Sequence, residues 1–234
     1  VAMRRCVQTG GESVVRGLKN MMRGIKAKNI LMVDQDAFVV GKDLGLTPGK
    51  VVFRNELIEL LHYEPTTEKV HETPIVIIMP WINKFYILDL TPKKSMVKYL
   101  TDQGYSVFIT SWKNPTADMS GTRFDDYLEK GVSEAVRVAR EFCKVPQVNL
   151  VGYCIGGTLV TTYMAWANRR YPAGKVPVKS WTLFTTLTDF SNPGDIEVFV
   201  DENTIDAMEG NMKKKGYLEG TEMASAFRML RSNS

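Results

Sequence analysis

From Pro74 onward, short runs of continuous apolar residues alternate with longer stretches whose apolar side chains recur every three or four positions. The run at 75–79 (Ile-Val-Ile-Ile-Met) is followed by a helical stretch over 93–103, closed by Gly104 where a helix C-terminus favours glycine. A second apolar run follows at 105–110. After a loop holding Asn114-Pro115, apolar residues from Phe124 through Leu128, Val132, Val136 and Ala139 to Phe142 predict a helix over 124–142 with one buried stripe. A third run at 148–151, a helix over 158–168 and a fourth run at 181–184 complete the pattern. Strands that are apolar throughout and alternate with helices predict an α/β protein, with a mostly parallel sheet covered by helices on both faces.

The flanks have a different character. Residues 1–26 are basic, with Gly10-Gly11 ahead of a helical stretch at 12–23, and a loop containing Asp34 and Asp36 follows. Beyond Asp195, the stretch 203–215 is helical, polar and rich in Met, without a strand to pair with, which suits an excursion from the sheet such as a cap over an active site. The expected division is 1–70 as the end of an N-terminal domain and linker, 71–195 as a partial core, and 196–234 as the start of a cap. The opening Val1 and the polar Arg231-Ser232-Asn233-Ser234 do not look like natural boundaries, so the expectation is a chain cut from a longer protein before its last strands. An uncovered sheet edge and bare helix faces would then promote self-association.

Composition narrows the class. At 234 residues, 44% hydrophobic and 24% charged, the chain has the make-up of an ordinary globular protein. Its apolar runs are too short to span a bilayer, and no signal segment opens it, so the cytoplasm is the expected compartment. Cys6, Cys143 and Cys154 match neither a metal site nor a disulfide framework, and reduced thiols are expected. The net charge of +4 is mild, and Lys213-Lys214-Lys215 reads as a solvated helix face, not a nucleic-acid or lipid patch.

The chemistry concentrates after the third strand, in Gly152-Tyr153-Cys154-Ile155-Gly156-Gly157. This is the pattern of a nucleophile elbow with Cys in place of Ser. The nucleophile occupies a sharp turn between strand and helix, and a Cβ two residues before or after it would collide across that packing, which Gly152 and Gly156 avoid. Cys154 would then sit at a helix N-terminus, which favours negative charge, with the Ile155 N–H aimed at the oxygen of an attacked acyl group. A tight turn around a buried thiol is the alternative. The second oxyanion donor would come from the loop at 80–84, through the N–H of Ile82 or Trp81, unless Trp81 only packs. Cys143 follows a helical stripe and reads as a packed thiol.

A cysteine nucleophile works with a His base oriented by a carboxylate or amide. The only histidines, His62 and His71, precede the first core strand, whereas the base of this fold follows the nucleophile. Asp189 stands after the fourth strand as a candidate acid or, alternatively, as a loop cap. A visible base is lacking.

The elbow through Thr158 resembles the lipase-box-like motif of polyhydroxyalkanoate synthases. The stretches 47–55, 80–90 (Pro-Trp-Ile-Asn-Lys-Phe-Tyr-Ile-Leu-Asp-Leu), 107–115 (Val-Phe-Ile-Thr-Ser-Trp-Lys-Asn-Pro) and Asp189-Phe190-Ser191 are similar to that family, in its order, across nearly the whole chain. The end is also similar, with Ser234 where Asp is usual. The resemblance implies an α/β-hydrolase-type core and an acyltransferase that polymerises (R)-3-hydroxyacyl-CoA into a storage polyester, releasing CoA without metal or organic cofactor. It implies that Cys154 carries the growing chain, that the catalytic Asp and His lie downstream of this sequence, and that the opening segment ends a domain associated with granule binding and dimerisation. A homodimer at the polyester granule surface is thus expected. A Cys-dependent α/β hydrolase or thioesterase shares the elbow, and a catalytically silent fragment is the reading from another class.

Overall fold

The computed structural model describes residues 2–26, 37–192, 194 and 202–220. They belong to two compact units, one comprising Val1–Val39 with Glu219–Ser234 and the other Val40–Leu218. In the first unit, α1 (Ala2–Gln8) and α2 (Glu12–Lys26) are joined through Gly10 and Gly11, both at positive φ. The Gly11 N–H closes the turn on the Cys6 carbonyl at 2.9 Å. Val14, Val15, Leu18, Met21 and Met22 recur along α2 with the spacing of one helical face, and each is more than half exposed.

Along the second unit the elements run β1 (Lys50–Arg54), β2 (Ile58–Tyr63), β3 (Ile75–Ile78), a ribbon of β4 (Asp89–Thr91) and β5 (Lys94–Ser95), α3 (Met96–Asp102) and β6 (Val107–Trp112). There follow α4 (Phe124–Asp126), a π-helical segment (Tyr127–Ser133), α5 (Glu134–Cys143), β7 (Val148–Tyr153), α6 (Ile155–Arg170), β8 (Val178–Phe184) and α7 (Glu202–Lys215). Six strands form one sheet in the order β1-β2-β6-β3-β7-β8. The four predicted strands β6, β3, β7 and β8 pair in parallel, and β2 joins β6 antiparallel.

The central strands β3, β6 and β7 are buried on both faces, which explains their unbroken apolar runs. Val76 and Ile78 of β3 face a core shared with Val132, Val136 and Leu159, whereas Ile75 and Ile77 face the opposite layer with Val97 of α3. Periodicity did not reveal the β1–β2 hairpin. Glu59 and His62 interrupt the apolar run of β2, whose main partner, β6, lies more than 40 residues away in sequence. The sheet therefore takes in part of the stretch expected as linker. Among the described residues β8 is an edge strand, with Trp181 44% exposed, and no helix is long and apolar enough to cross a membrane.

The helix predicted over 124–142 forms with its stripe buried at Leu128, Val132, Ala135, Val136 and Ala139, but Phe124 and Phe142 at the ends of the stripe are exposed and the segment between Tyr127 and Ser133 is widened into π geometry. Gly131 lies in that widened turn against the indole of Trp112, leaving no room for a Cβ.

Candidate active site

Strand β7 runs between β3 and β8, with Gly152 in register with Ile78 and Leu183. Cys154 follows the strand at φ 55 and ψ −127, a left-handed conformation that non-glycine residues adopt rarely and that clusters at functional sites. Its N–H donates to the Phe184 carbonyl at 2.9 Å, while its own carbonyl accepts from the N–H of Gly157 at 2.8 Å and opens α6. The half-buried side chain of Cys154 thus stands where the unpaired N–H groups of the α6 N-terminus concentrate positive potential.

The glycines on either side of Cys154 pack too closely for a side chain. A Cβ on Gly152 would run into Gly157 Cα and approach its nitrogen to 3.0 Å. On Gly156 it would stand 2.9 Å from the carbonyl carbon and oxygen of Met79 and closer still to the oxygen of Ile78. Sequence reasoning missed Gly157, where a Cβ would collide with the side chain of Thr186. Thr186 follows Thr185, a β-branched residue at φ 46, and its hydroxyl donates to the Phe184 carbonyl at 3.1 Å. Thr158 Oγ1 donates to the Leu187 carbonyl at 2.8 Å. The elbow is thereby laced to the chain leaving β8, which no local motif announces.

On the other side, loop 80–84 leaves β3 past Met79. The Met79 N–H donates to Thr110 Oγ1 at 3.0 Å, and its carbonyl accepts from Trp112 Nε1 at 2.6 Å. Beyond Pro80 the Asn83 N–H turns back to the Pro80 carbonyl at 3.3 Å. Ile82 is 38% exposed. Among the described residues no hydrogen bond occupies the N–H of Trp81, Ile82 or Ile155. The Trp81 side chain does pack, 5.0 Å from the Tyr127 ring and 6.0 Å edge-on from Trp112.

Neither histidine approaches the elbow. His62 pairs with Phe108 near the start of β6, while Cys154 lies three strands across and beyond the end of β7. At about 3.3 Å per residue along a strand and about 4.8 Å between strands, they are separated by roughly 13 Å lengthwise and roughly 14 Å sideways. His71 stacks on Tyr105 at 4.0 Å ahead of β3, at the opposite end of the sheet from Cys154. Asp189 is exposed, and its Oδ1 accepts from the Ser191 N–H at 2.9 Å, which holds its carboxyl below the usual carboxylate range. That is the geometry of a loop cap. Burial pushes the half-buried Cys143 thiol up, and its Sγ lies 3.8 Å from Ser106 Oγ. Cys6 belongs to α1 of the other unit.

A mostly parallel sheet with a left-handed cysteine at the strand-to-helix turn defines a class, and the alpha/beta hydrolase fold family matches residues 76–216. The chain belongs to that family. Residues 1–100 match a second family, described as Poly-beta-hydroxybutyrate polymerase (PhaC) N-terminus. The chain is 41% identical, over 99% of its length, to the Poly(3-hydroxyalkanoate) polymerase subunit PhaC of Cupriavidus necator, of which it covers 40%. It is likewise 41% identical over 99% of its length to the Poly(3-hydroxyalkanoate) polymerase of Methylorubrum extorquens, covering 38% of that protein. Against Poly(3-hydroxyalkanoate) polymerase 1 of Ectopseudomonas oleovorans the identity is 36% over 99% of the chain and 41% of the relative. The chain thus spans about two-fifths of the length of these relatives.

Proposed function

We propose that the complete protein containing this chain polymerises (R)-3-hydroxyacyl-CoA into polyester, with Cys154 as the covalent nucleophile. The observation that carries this reading is the left-handed Cys154 at the N-terminus of α6, packed between glycines at the end of a central parallel strand. Similarity to proteins named poly(3-hydroxyalkanoate) polymerases along 99% of the chain supports the choice of substrate.

The thiolate attacks the thioester carbonyl, and the resulting oxyanion accepts hydrogen bonds from the N–H of Ile155 and of Ile82 or Trp81. The bond to the CoA sulfur breaks, CoA leaves as a thiol after taking up a proton, and the acyl group remains on Cys154. Exchanging one thioester for another costs little. The hydroxyl of a second hydroxyacyl group then attacks the acyl-cysteine, an ester bond forms, the thiolate is freed, and the hydroxyl proton passes to a base outside the described residues. In this reading that base is a His oriented by an Asp. A thioester is already activated, so this route calls on no metal or organic cofactor. The helix α7, with Ile205, Met208 and Met212 exposed, is suited to the cap that would keep water from the acyl-enzyme. In the same reading the protein is cytoplasmic and works as a homodimer at the granule surface, and residues 1–70, 71–195 and 196–234 serve as N-terminal tail, core and cap.

The test is an assay of the complete protein with 3-hydroxybutyryl-CoA, following CoA release and polymer, beside its Cys154→Ala variant. Polymer that disappears in the variant is the expected result. CoA release with free hydroxy acid and no polymer would replace this reading with a thioesterase.

A further inference from the structure

The pairing of β3 with β6 ends at Ile77 and Ile109, whereas its pairing with β7 continues to Ile78 and Gly152. One residue further, Met79 takes no place in either ladder. Both of its backbone groups nevertheless have partners, and both partners are side chains of β6, with Thr110 accepting from the N–H and Trp112 donating to the carbonyl. Positions two apart on a strand share one face, so this pair reaches β3 together. Bridging through side chains instead of backbone lets the two strands separate at their C-terminal ends, where open α/β sheets bind ligands. Pro80 follows, with no N–H to continue a ladder and with a ring that confines Met79 to extended backbone.

The same Met79 carbonyl, together with that of Ile78, is the surface against which Gly156 packs. One peptide group is therefore held by β6 on one side and touches the elbow on the other. The Ile155 donor adjoins Gly156, and the loop donor lies two or three residues after Met79. Trp112 is in turn held by the Cβ-free Gly131 and by the rings of Trp81 and Tyr127.

We propose that Thr110 and Trp112 are positioning residues for acyl transfer. By clamping the two peptide groups that flank Met79 they set the direction in which loop 80–84 leaves β3, and hence the placement of its oxyanion donor relative to that of Ile155. The proposal rests on Cys154 being the nucleophile.

The experiment uses the complete protein with Trp112→Phe, which keeps an aromatic ring but removes the N–H, and Thr110→Val, which keeps the shape but removes the acceptor. Two rates are compared at Cys154, single-turnover acylation by 3-hydroxybutyryl-CoA read by mass spectrometry and alkylation by iodoacetamide. Alkylation builds no oxyanion, so it reports only the thiolate and the elbow. Losing a whole oxyanion donor costs roughly 100- to 1,000-fold in rate, so a misplaced one is expected to slow acylation by roughly 10- to 100-fold. Alkylation and the KM for the acyl-CoA should stay within about twofold. Thr110→Ser, which restores the hydroxyl, should recover acylation. If Trp112→Phe does not fold, Thr110→Val and Thr110→Ser decide the matter. Equal losses in both rates, or no loss in either, would overturn the proposal. Acylation that persists in Cys154→Ala would instead remove the nucleophile on which it rests, whereas acylation lost in Cys154→Ala but intact in both β6 variants sinks the positioning role alone.

Discussion

The N–H of Cys154 donates a 2.9 Å hydrogen bond to the carbonyl of Phe184, so the turn that presents the thiol is built partly by the end of β8. That tie brings Thr186 over Gly157, and the elbow accepts a Cβ at neither Gly156 nor Gly157. The two obstacles differ in kind. At Gly156 the obstacle is backbone, which cannot yield, so Gly156→Ala is expected to destabilise the complete protein by about 1–3 kcal/mol and to abolish acylation of Cys154. At Gly157 the obstacle is a side chain, so Gly157→Ala should be rescued in part by Thr186→Gly. Urea denaturation of the single and double variants checks this, and strict additivity would refute it.

The contact between Gly131 and Trp112 makes a second prediction. A Cβ at Gly131 meets the six-membered edge of the indole, the part that Trp112→Phe removes. Gly131→Ala should therefore cost about 1–3 kcal/mol on its own and less when combined with Trp112→Phe. A double-mutant cycle in thermal or urea unfolding should show a coupling of roughly 0.5–3 kcal/mol, and a coupling of zero would separate the two residues.

His62 supplies a pH dependence. It is 5% exposed, lies between the rings of Phe108 and Phe142 and shares a 2.8 Å hydrogen bond with Ser106 Oγ. Burial depresses its pKa below the ordinary 6.5, with Lys50 adding to the effect and Glu64 opposing it. Between the depressed value and 6.5 the unfolded chain binds more protons than the folded one, so stability rises with pH across that window. The contribution is complete above the window and is lost as pH falls through it. The melting temperature of the complete protein should fall on acidification below pH 6.5 more steeply than that of its His62→Gln variant. Parallel curves would show that His62 does not carry this dependence.

Tyr163 is fully buried, and its hydroxyl has no hydrogen-bond partner among the described residues. Replacing it by Phe removes the stranded oxygen and leaves the ring 5.7 Å from that of Trp166. Tyr163→Phe is expected to raise stability by up to about 1 kcal/mol. A lower denaturation midpoint in the variant would mean that the hydroxyl is satisfied in solution.

The features legible in the chain are those whose cause is local. The continuous apolar runs of β3, β6 and β7 announce strands buried on both faces, the 124–142 stripe announces its helix, and Gly152, Cys154 and Gly156 announce the turn between strand and helix. Each signal lies within a window of a few residues to two dozen. The β1–β2 hairpin was hidden because Glu59 and His62 break its pattern and its stability comes from distant β6. The π-helical turn was hidden because Gly131 is explained only by the ring of Trp112.

The sequence by itself determined the alternation of strands and helices, the position of the thiol and the two glycines flanking it, since backbone propensity and sterics act between near neighbours. Tertiary structure alone decided what surrounds that thiol. Thr186 reaches Gly157, and the Met79 carbonyl meets both Trp112 and Gly156, across 29 to 77 positions of chain. It also set both histidines away from the elbow. These placements follow from sheet order and register, because residues far apart in sequence become neighbours only when strands pair and bury their faces together.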